Sequence, residues 1–512
     1  MACLTLLPCL LLLSLVMLLA VAASGDNSTL SGQIRINCGS SVSATDSDGR
    51  TWDGDAASRF APSVAGVASG ASYVDPSLPS TVPYMTARVF ASSYTYSFPV
   101  SPGRVFLRLF FYPSAYGDRG AAAALFGVTA GGVTLLDDFN ASQTALALNY
   151  AYLVREFSLN VSSGGNLDVT FTPSGQSASG SRHYAFVNGI EIVAMPDMFT
   201  KAVPTFANGG RPDPMPIRAD TAFQTMYRLN VGGRAVSPGD DSDLLYRTWD
   251  NDVPYIFGAA FGVSYGKDSN VSIQYGPAVP PYVAPESVYA SARSMGPNAQ
   301  INLNYNLTWA LPVDAGFYYI VRLHFCEIQY PITKLNQRAF YIYINNQTAL
   351  ADMDVIGRSG GVGRPVYTDY LVVTVPGSSQ TDLWVELHPD VNTRPEYYDA
   401  ILNGLEVFKL QRYDSDSLAG PNPPILQQVQ INAVEGSGAG TKKKSGAFAA
   451  AWAAAAGGLV AVLVGCICAW AICRRKRKAA SAVVHVPQAV RETPAYVILG
   501  QTKIPAFSYP AR

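Results

Sequence analysis

A tryptophan followed by two aspartates occurs twice in this sequence and is the pattern best suited to chemistry. Trp52-Asp53-Gly54-Asp55 recurs as Trp249-Asp250-Asn251-Asp252, each time directly after Arg-Thr. Paired carboxylates could flank a glycosidic bond and cleave it. Carboxylates can also ligate Ca²⁺, and the two candidate sets are Asp46, Asp48, Asp53 and Asp55, and Asp241, Asp243, Asp250 and Asp252.

We favour a structural role for this motif. The tryptophan would pack inward, while the aspartates cap a turn and pair with the neighbouring Arg50 or Arg247. Duplication argues against catalysis, because a hydrolase has little use for the same acid pair twice. We therefore predict no catalytic residue, no metal ligand and no cofactor, and we assign the structural motif to Trp52, Asp53, Asp55, Trp249, Asp250 and Asp252.

Few other residues could build a reactive centre. His324 and Cys326 stand two apart on a predicted strand, which could begin a metal site, but no third ligand is nearby in the sequence. The sequence has neither a nucleophile elbow nor a zinc-binding helix motif. A net charge of −1 gives no sign of nucleic-acid binding. The sequence leaves the ligand-contacting residues unassigned.

The region that holds these motifs is an internal duplication. Arg35-Ile36-Asn37-Cys38-Gly39 recurs as Arg228-Leu229-Asn230-Val231-Gly232, and Asn188-Gly189-Ile190-Glu191 recurs as Asn403-Gly404-Leu405-Glu406. The matching blocks keep their order along the chain. A period of about 200 residues is too long for a solenoid repeat. The sequence therefore predicts two whole domains, at residues 25–200 and 223–410, joined by a linker at 201–222.

Alternating apolar residues predict strands in both repeats, each with one buried face. Gly and Pro clusters separate these segments, and no long amphipathic helix is present. The predicted fold class is all-β, with two tandem antiparallel β-sandwiches followed by a single transmembrane helix. The predicted strands include Arg104–Tyr112, Phe317–Cys326, Phe340–Ile344, Tyr370–Val375, Leu383–His388 and Leu405–Leu410.

Two apolar segments predict the topology of the chain. Residues 1–24 end in small residues and are typical of a cleaved signal peptide. Residues 446–473 carry no charge and are long enough to cross a bilayer. Segment 411–445 would be an extracellular stalk, and 474–512 a short disordered cytoplasmic tail. These features predict a single-pass type I protein of the plasma membrane, with its N-terminus outside and membrane lipid around one span.

Cysteine and sequon positions agree with export. Cys38 and Cys326 are the only cysteines of the predicted outer region, so it is not a disulfide scaffold. We expect two buried thiols, although a bond between them stays open. Six Asn-x-Ser/Thr sequons lie in the outer region and predict glycans, at Asn27, Asn140, Asn160, Asn270, Asn306 and Asn346.

Four segments of the sequence together resemble one protein family. They are Ile36-Asn37-Cys38-Gly39, Arg50-Thr51-Trp52-Asp53, Arg322-Leu323-His324-Phe325-Cys326-Glu327 and Asn403-Gly404-Leu405-Glu406. Their order and spacing are similar to the malectin-like ectodomain of plant receptor kinases of the FERONIA type, over about residues 30–445. The resemblance implies two tandem malectin-like β-sandwich domains. The cytoplasmic kinase of that family has no counterpart in this sequence, so we expect either a truncated gene product or a kinase-less receptor-like protein that acts as a decoy or partner-dependent subunit, and in neither case an enzyme.

The resemblance also implies the kind of ligand. Family members sense rapid alkalinization factor peptides, often with a glycosylphosphatidylinositol (GPI)-anchored co-receptor, and pectin binding is attributed to them as well. Residues 1–441 hold 36 acidic and 25 basic side chains, which favours a basic signalling peptide over a polyanion at long range. A module that binds cell-wall carbohydrate, such as pectin or an oligosaccharide, remains an alternative, and a glycoside hydrolase a remote one.

Overall fold

A computed structural model describes the chain from residue 33 to residue 425. No helix among those residues is long and apolar enough to cross a membrane. The predicted signal peptide (1–24), transmembrane helix (446–473) and tail (474–512) lie outside the described residues, as does most of the stalk. Within 33–425 the structure leaves out residues 57–59, 61–65, 163–164, 176–181, 200–202, 210–212, 259–260, 378 and 413.

The first repeat folds into a lobe of short strands with one helix, α1 (Ala141–Leu148). Asn140 begins this helix, because its side chain accepts a hydrogen bond from the main-chain N–H of Gln143. The strands are β1 (Gln33–Asn37), β2 (Ala44–Thr45), β3 (Thr51–Gly54), β4 (Val67–Gly70), β5 (Thr86–Phe90), β6 (Tyr94–Pro99), β7 (Gly103–Phe111), β8 (Phe126–Ala130), β9 (Val133–Phe139), β10 (Leu153–Val161), β11 (Asn166–Pro173), β12 (Ala185–Val187) and β13 (Gly189–Ala194).

The second repeat folds in the same way and is preceded by one short strand, β14 (Thr205–Phe206). Its short helices are α2 (Glu286–Tyr289), α3 (Ala299–Asn302) and α4 (Val355–Ser359). Its strands are β15 (Phe223–Asn230), β16 (Asp250–Asn251), β17 (Val263–Gly266), β18 (Ser291–Ser294), β19 (Leu307–Asp314), β20 (Tyr318–Phe325), β21 (Phe340–Ile344), β22 (Gln347–Met353), β23 (Val366–Val373), β24 (Gln380–Pro389), β25 (Ile401–Leu402) and β26 (Gly404–Leu410).

Each lobe packs a four-stranded sheet against a larger one. The four-stranded sheets have the orders β6-β11-β8-β9 and β19-β24-β21-β22. Inward residues of both layers form the largest apolar core of each lobe. Leu109 and Phe111 of β7 and Leu323 and Phe325 of β20 are fully buried in these cores, so the two repeats share one strand register. The predicted, mostly β architecture of each repeat is therefore confirmed.

The larger layers of both lobes form a single twelve-stranded sheet, which the sequence did not predict. Strand β10 of the first lobe pairs with β15 of the second, through Phe157 with Gln224 and Ser158 with Phe223. The main path is β14-β23-β20-β26-β15-β10-β7-β13-β1-β3-β2, with β16 attached to β15. The lobes therefore share one continuous hydrogen-bonded layer.

The second face of this large sheet is also buried, which corrects the expectation of strands with one buried face. In β7 every residue from Arg104 to Phe111 is buried. A third apolar cluster lies between the lobes, where the ring of Phe199 stacks on that of Phe223 with centroids 4.1 Å apart. Met198 and Ile217, near the ends of the predicted linker, are buried in the same cluster. The linker thus anchors the lobes to one another.

Both cysteines of the described region are free and buried. Cys38 follows β1, Cys326 follows β20, and no disulfide joins them. Burial raises the pKa of both thiols well above the ordinary range. The expected pair of buried thiols is what the structure contains.

Candidate functional site

An aspartate upstream of each repeated motif binds the motif's tryptophan and the arginine just before it. Asp46 accepts from Arg50 Nε and from Trp52 Nε1, both at 2.8 Å. In the second lobe, Asp241 accepts from Arg247 Nε at 2.8 Å and from Trp249 Nε1 at 3.4 Å. Trp52 and Trp249 are fully buried. The upstream aspartates therefore hold the indole and guanidinium groups inside each lobe.

The last aspartate of each motif is bound just as fully. Asp55 accepts from the Gly39 N–H at 2.8 Å, Arg88 Nε at 2.9 Å and the Tyr96 hydroxyl at 2.9 Å. Asp252 repeats this set with Gly232, Arg293 and Trp309, at distances of 2.6–3.0 Å. A buried carboxylate with this many donors joins three segments of the lobe. These contacts fit a structural role for Trp52, Asp55, Trp249 and Asp252.

The middle aspartates, Asp53 and Asp250, behave differently. Both are exposed, and Asp53 accepts a 2.9 Å hydrogen bond from Ser43. Within the described residues, no set of three or more His, Cys, Asp or Glu side chains is arranged to hold a metal ion. His324 is buried, with Nε2 3.0 Å from Glu406 and Nδ1 2.9 Å from the Tyr289 hydroxyl. These contacts account for both nitrogens of the histidine that could have begun a metal site.

A line of buried charges of alternating sign crosses the large sheet and joins the two lobes. We call it the charge ladder. It links Arg35 to Glu191 at 2.7 Å, Glu191 to Arg108 at 2.8 Å, Arg108 to Glu156 at 2.7 Å, Glu156 to Arg228 at 2.9 Å, and Arg228 to Glu406 at 2.8 Å. Arg322, the cross-strand neighbour of Glu406, pairs with Asp369 at 2.8 Å and completes it.

The charge ladder escaped the sequence analysis, although a signal was present. Arg108 and Arg322 recur at equivalent positions of the repeats, as do Glu191 and Glu406, each within a strand of apolar residues. A charge that recurs at one register of two buried strands needs an opposite charge on the neighbouring strand. The partner strands are distant in sequence, so their identity required the structure.

The glutamates of the ladder should make stability depend on acid. Burial alone would raise the pKa of Glu406, but the His324 hydrogen bond and the Arg228 charge outweigh it and lower the pKa to about 2. A lowered carboxyl pKa stabilises the fold above the unfolded pKa of about 4.3, and this contribution of about 3 kcal/mol is lost as pH falls towards 2. Urea unfolding at a series of pH values should show a steep fall in stability below about pH 4.5, added to a decline that begins near pH 6.5 because burial lowers the pKa of His324. Glu406→Gln should flatten that fall, and an unchanged slope would contradict the assignment.

The region where the two lobes meet also carries acids that are not part of the charge ladder. Asp48 of the first lobe lies beside Gly239 of the second, where a Cβ on the glycine would come within 3.3 Å of the Asp48 carbonyl oxygen, and its carboxylate is 3.4 Å from Arg50 Nη2. Partial burial raises the pKa of Asp48; Arg50 opposes this, and Asp46 and Asp240 add to it. Asp240 and Asp250 are exposed, and no ion pair in the described part of the chain involves either.

Tyr152 lies near these acids. Burial is the main cause of the raised pKa of Tyr152, and the charges of Asp250 and Asp48 add to it. The ring of Tyr152 packs on Tyr84, with centroids 4.8 Å apart. We call Asp48, Asp240 and Asp250 the junction acids. Carboxylates of both lobes beside an aromatic ring can bind a lysine or arginine side chain.

The described sequon asparagines differ in exposure. Asn27 lies outside the described residues. Asn160, Asn270 and Asn346 are exposed, whereas Asn140 and Asn306 are half-buried. The amide oxygen of Asn140 caps α1, which leaves its nitrogen free of that bond. All five described sequons stay candidates for glycosylation.

Comparison with known proteins places this architecture in a family. The model of the malectin-like domain matches residues 36–410. Receptor-like protein kinase FERONIA of Arabidopsis thaliana is 46% identical over 472 residues, which cover 92% of this chain and 52% of FERONIA. This chain therefore spans about half the length of that relative.

Solved structures agree with the sequence match. The crystal structure of plant receptor-like kinase FER superimposes with a TM-score of 0.71 at 50% identity, covering 76% of this chain and 99% of that chain. A chain in the crystal structure of plant peptide RALF23 in complex with FER and LLG2 superimposes with a TM-score of 0.69 at 49% identity. The match covers 76% of this chain and 98% of that chain. Its sequence, its duplicated sandwich fold and these matches together show that the chain belongs to the malectin-like domain family.

Proposed function

We propose that this chain carries the ligand-binding ectodomain of a cell-surface receptor, and that its ligand is a basic signalling peptide recognised together with a GPI-anchored co-receptor. The observation that carries the proposal is the similarity to a chain crystallised in the complex of peptide RALF23 with FER and LLG2, over 98% of that crystallised chain. An identity of 49% supports a shared mode of ligand binding as well as a shared fold.

The junction acids are our candidate for the contact with the peptide. Asp48 of the first lobe lies beside Gly239 of the second, which precedes Asp240, so a cationic segment bound there would touch both repeats. Opposite charge speeds the encounter of peptide and receptor and selects against anionic competitors. Salt screens exposed charges, so binding through these acids should weaken as ionic strength rises.

Removing the junction acids should weaken peptide binding. In the triple variant Asp48→Asn, Asp240→Asn and Asp250→Asn, we expect Kd for a basic peptide to rise about tenfold, or ~1.4 kcal/mol, at low salt. Surface plasmon resonance of the secreted protein would measure it. A control triple, Asp118→Asn, Asp137→Asn and Asp168→Asn, removes three exposed acids elsewhere. Equal weakening in both triples would show that only net charge matters and would refute the assignment.

The co-receptor part of the proposal has its own test. Secreted ectodomain, basic peptide and the soluble part of a GPI-anchored co-receptor should elute together from a sizing column. Ectodomain and co-receptor without peptide should elute apart, because the peptide completes the shared interface. A ternary peak that forms equally well without peptide would contradict peptide-dependent assembly.

We also propose that residues 33–425 face the outside of the cell on a single-pass type I protein of the plasma membrane. The support is the signal-like segment at the N-terminus and the uncharged segment at 446–473. Protease added to intact cells should cleave an N-terminal tag placed after residue 24 and spare a C-terminal tag. Protection of both tags would contradict this orientation.

A further inference from the structure

The outer face of the second lobe's four-stranded sheet is unusually aromatic. Strand β21 points Phe340, Ile342 and Ile344 into the core, so Tyr341 and Tyr343 face outward. Strand β24 likewise buries its apolar residues and turns Trp384, Glu386 and His388 outward. We call Tyr341, Tyr343, Trp384 and His388, together with the neighbouring Phe257, the aromatic face.

The rings of this face pack in two pairs. Tyr341 and Tyr343 stack with centroids 5.7 Å apart, and Phe257 meets Trp384 edge-on at 4.5 Å. Phe257 remains 55% exposed, and the other members are half-buried. The pairing of β21 with β24 places Tyr343 beside Glu386 and Tyr341 beside His388. Several half-buried rings beside the exposed Phe257 leave apolar surface on one sheet face that an occupant could cover.

The same face of the first lobe provides an internal comparison. The registers of the two outer sheets align Tyr341 with Gly127, Tyr343 with Thr129, Trp384 with Asp168, Glu386 with Thr170 and His388 with Thr172. Each aromatic position of the second lobe thus holds a small or polar residue in the first. The fold does not require these rings, so their presence needs a separate cause.

A sequon side chain lies on this face. Asn306 directly precedes β19, as Ser93 directly precedes β6. Asn306 Nδ2 donates to Glu386 Oε1 at 3.2 Å, whereas Ser93 bonds to Thr172 at 3.1 Å. Ser93 begins no sequon, and Asn306-Leu307-Thr308 is one. The aromatic face and the sequon therefore occur in the same lobe and are absent from the matching site of the other.

The chemistry of the linkage fits this arrangement. Transfer of an oligosaccharide from its lipid diphosphate carrier replaces one Nδ2 hydrogen of Asn306 by a bond to sugar C1, and the lipid diphosphate leaves. One N–H remains on Nδ2 and can keep its bond to Glu386. That bond would hold the first sugar over the sheet, where the apolar C–H faces of a pyranose can pack on aromatic rings.

We propose that the aromatic face is the docking site of this chain's own glycan, with the first N-acetylglucosamine units of the Asn306 glycan lying across Tyr341, Tyr343, Trp384 and His388. The docked glycan covers the exposed rings and ties the start of β19 to β24 and β21. This inference is independent of the peptide that the receptor binds. The protein's own glycan would then cover the aromatic face and prevent free carbohydrate from binding there.

The test compares two sequons of the full chain made in a plant secretory host. Glycopeptide mass spectrometry should show Asn306 occupied. Under native conditions an amidase should release the Asn306 glycan about tenfold more slowly than the glycan of exposed Asn270, since docking at ~1.4 kcal/mol hides the linkage for most of the time. The double variant Tyr343→Thr and Trp384→Asp gives the face the first lobe's residues, and should raise the Asn306 rate to that of Asn270.

A second measurement leaves the face intact, in case the double variant does not fold. Asn306→Gln should increase the quenching of tryptophan fluorescence by acrylamide, because Trp384 loses its neighbour, whereas Asn270→Gln should not. An unoccupied Asn306, equal release rates in the wild type, or unchanged quenching would each overturn the proposal. Binding of a free oligosaccharide to the aromatic face of the fully glycosylated chain would overturn it too.

Discussion

Replacing Glu156 with Gln should lower the free energy of unfolding by about 3–5 kcal/mol, the cost of removing one partner from a buried charge pair. Glu156 accepts from Arg108 Nε at 2.7 Å in the first lobe, and from Arg228 Nη2 at 2.9 Å and Thr225 at 2.6 Å in the second. Its neutral replacement would leave two buried guanidinium groups short of negative charge. Urea unfolding followed by tryptophan fluorescence would measure the loss.

Glu156 should also control the coupling of the two lobes. Strands β10 and β15 pair through two residue pairs only, so the ion pairs of Glu156 strengthen a short seam. We expect the variant to unfold over a broader range of urea, with a lower m-value, as the lobes lose cooperativity. Asp220→Asn is the matched control, because it breaks an ion pair with Arg218 whose side chains are 63% and 68% exposed, and should cost less than about 1 kcal/mol. Equal losses in the two variants would mean that the ladder does not join the lobes.

Gly39→Ala should destabilise the first lobe by about 2–4 kcal/mol, through backbone strain and overpacking together. Gly39 has a φ of +80°, and a Cβ there would overlap the carbonyl oxygen of Ala87. Gly232 is in the same position against Ala292 in the second lobe, at a φ of +71°. The Gly of both Asn-x-Gly copies therefore allows the chain after β1 or β15 to pass close to a neighbouring strand.

Gly49→Ala separates strain from overlap. Gly49 has a φ of +76°, but no atom lies within 4 Å of a Cβ placed there. Its substitution should cost about 1 kcal/mol, from the unfavourable φ alone. Denaturant midpoints of the two variants would give the difference. If Gly39→Ala were no worse than Gly49→Ala, the close approach to Ala87 would not explain why glycine occurs at this point of both repeats.

The fold of each repeat was predictable because its signals are local. Alternation in β7, β20 and β21 marks the inward residues, and the boundaries are within one or two residues of those observed. Because the two repeats match, a strand predicted in one lobe also predicts the equivalent strand of the other. The main exception is β23, which runs from Val366 to Val373 rather than from Tyr370 to Val375, because its polar first half, paired with β20, gives no apolar pattern.

The joint sheet and the sites at its seam were not predictable. Phe157 of β10 and Gln224 of β15 are distant in sequence, and no local pattern in either strand indicates that the two strands pair. The same holds for Asp48 and Asp240, which become neighbours only when the lobes meet. The predicted pairing of the motif aspartates with Arg50 or Arg247 was wrong: Asp55 binds Arg88 and Asp252 binds Arg293, while Asp53 and Asp250 are exposed.

The account rests on the claim that this malectin-like region binds a basic peptide, and calorimetric titration of the secreted protein tests it most directly. Basic signalling peptides and pectin fragments would be titrated separately at low and at physiological salt. We predict saturable binding of a basic peptide, weaker at the higher salt, and loss of that binding in the junction-acid triple variant. Binding of pectin fragments with no heat from any basic peptide would contradict the claim.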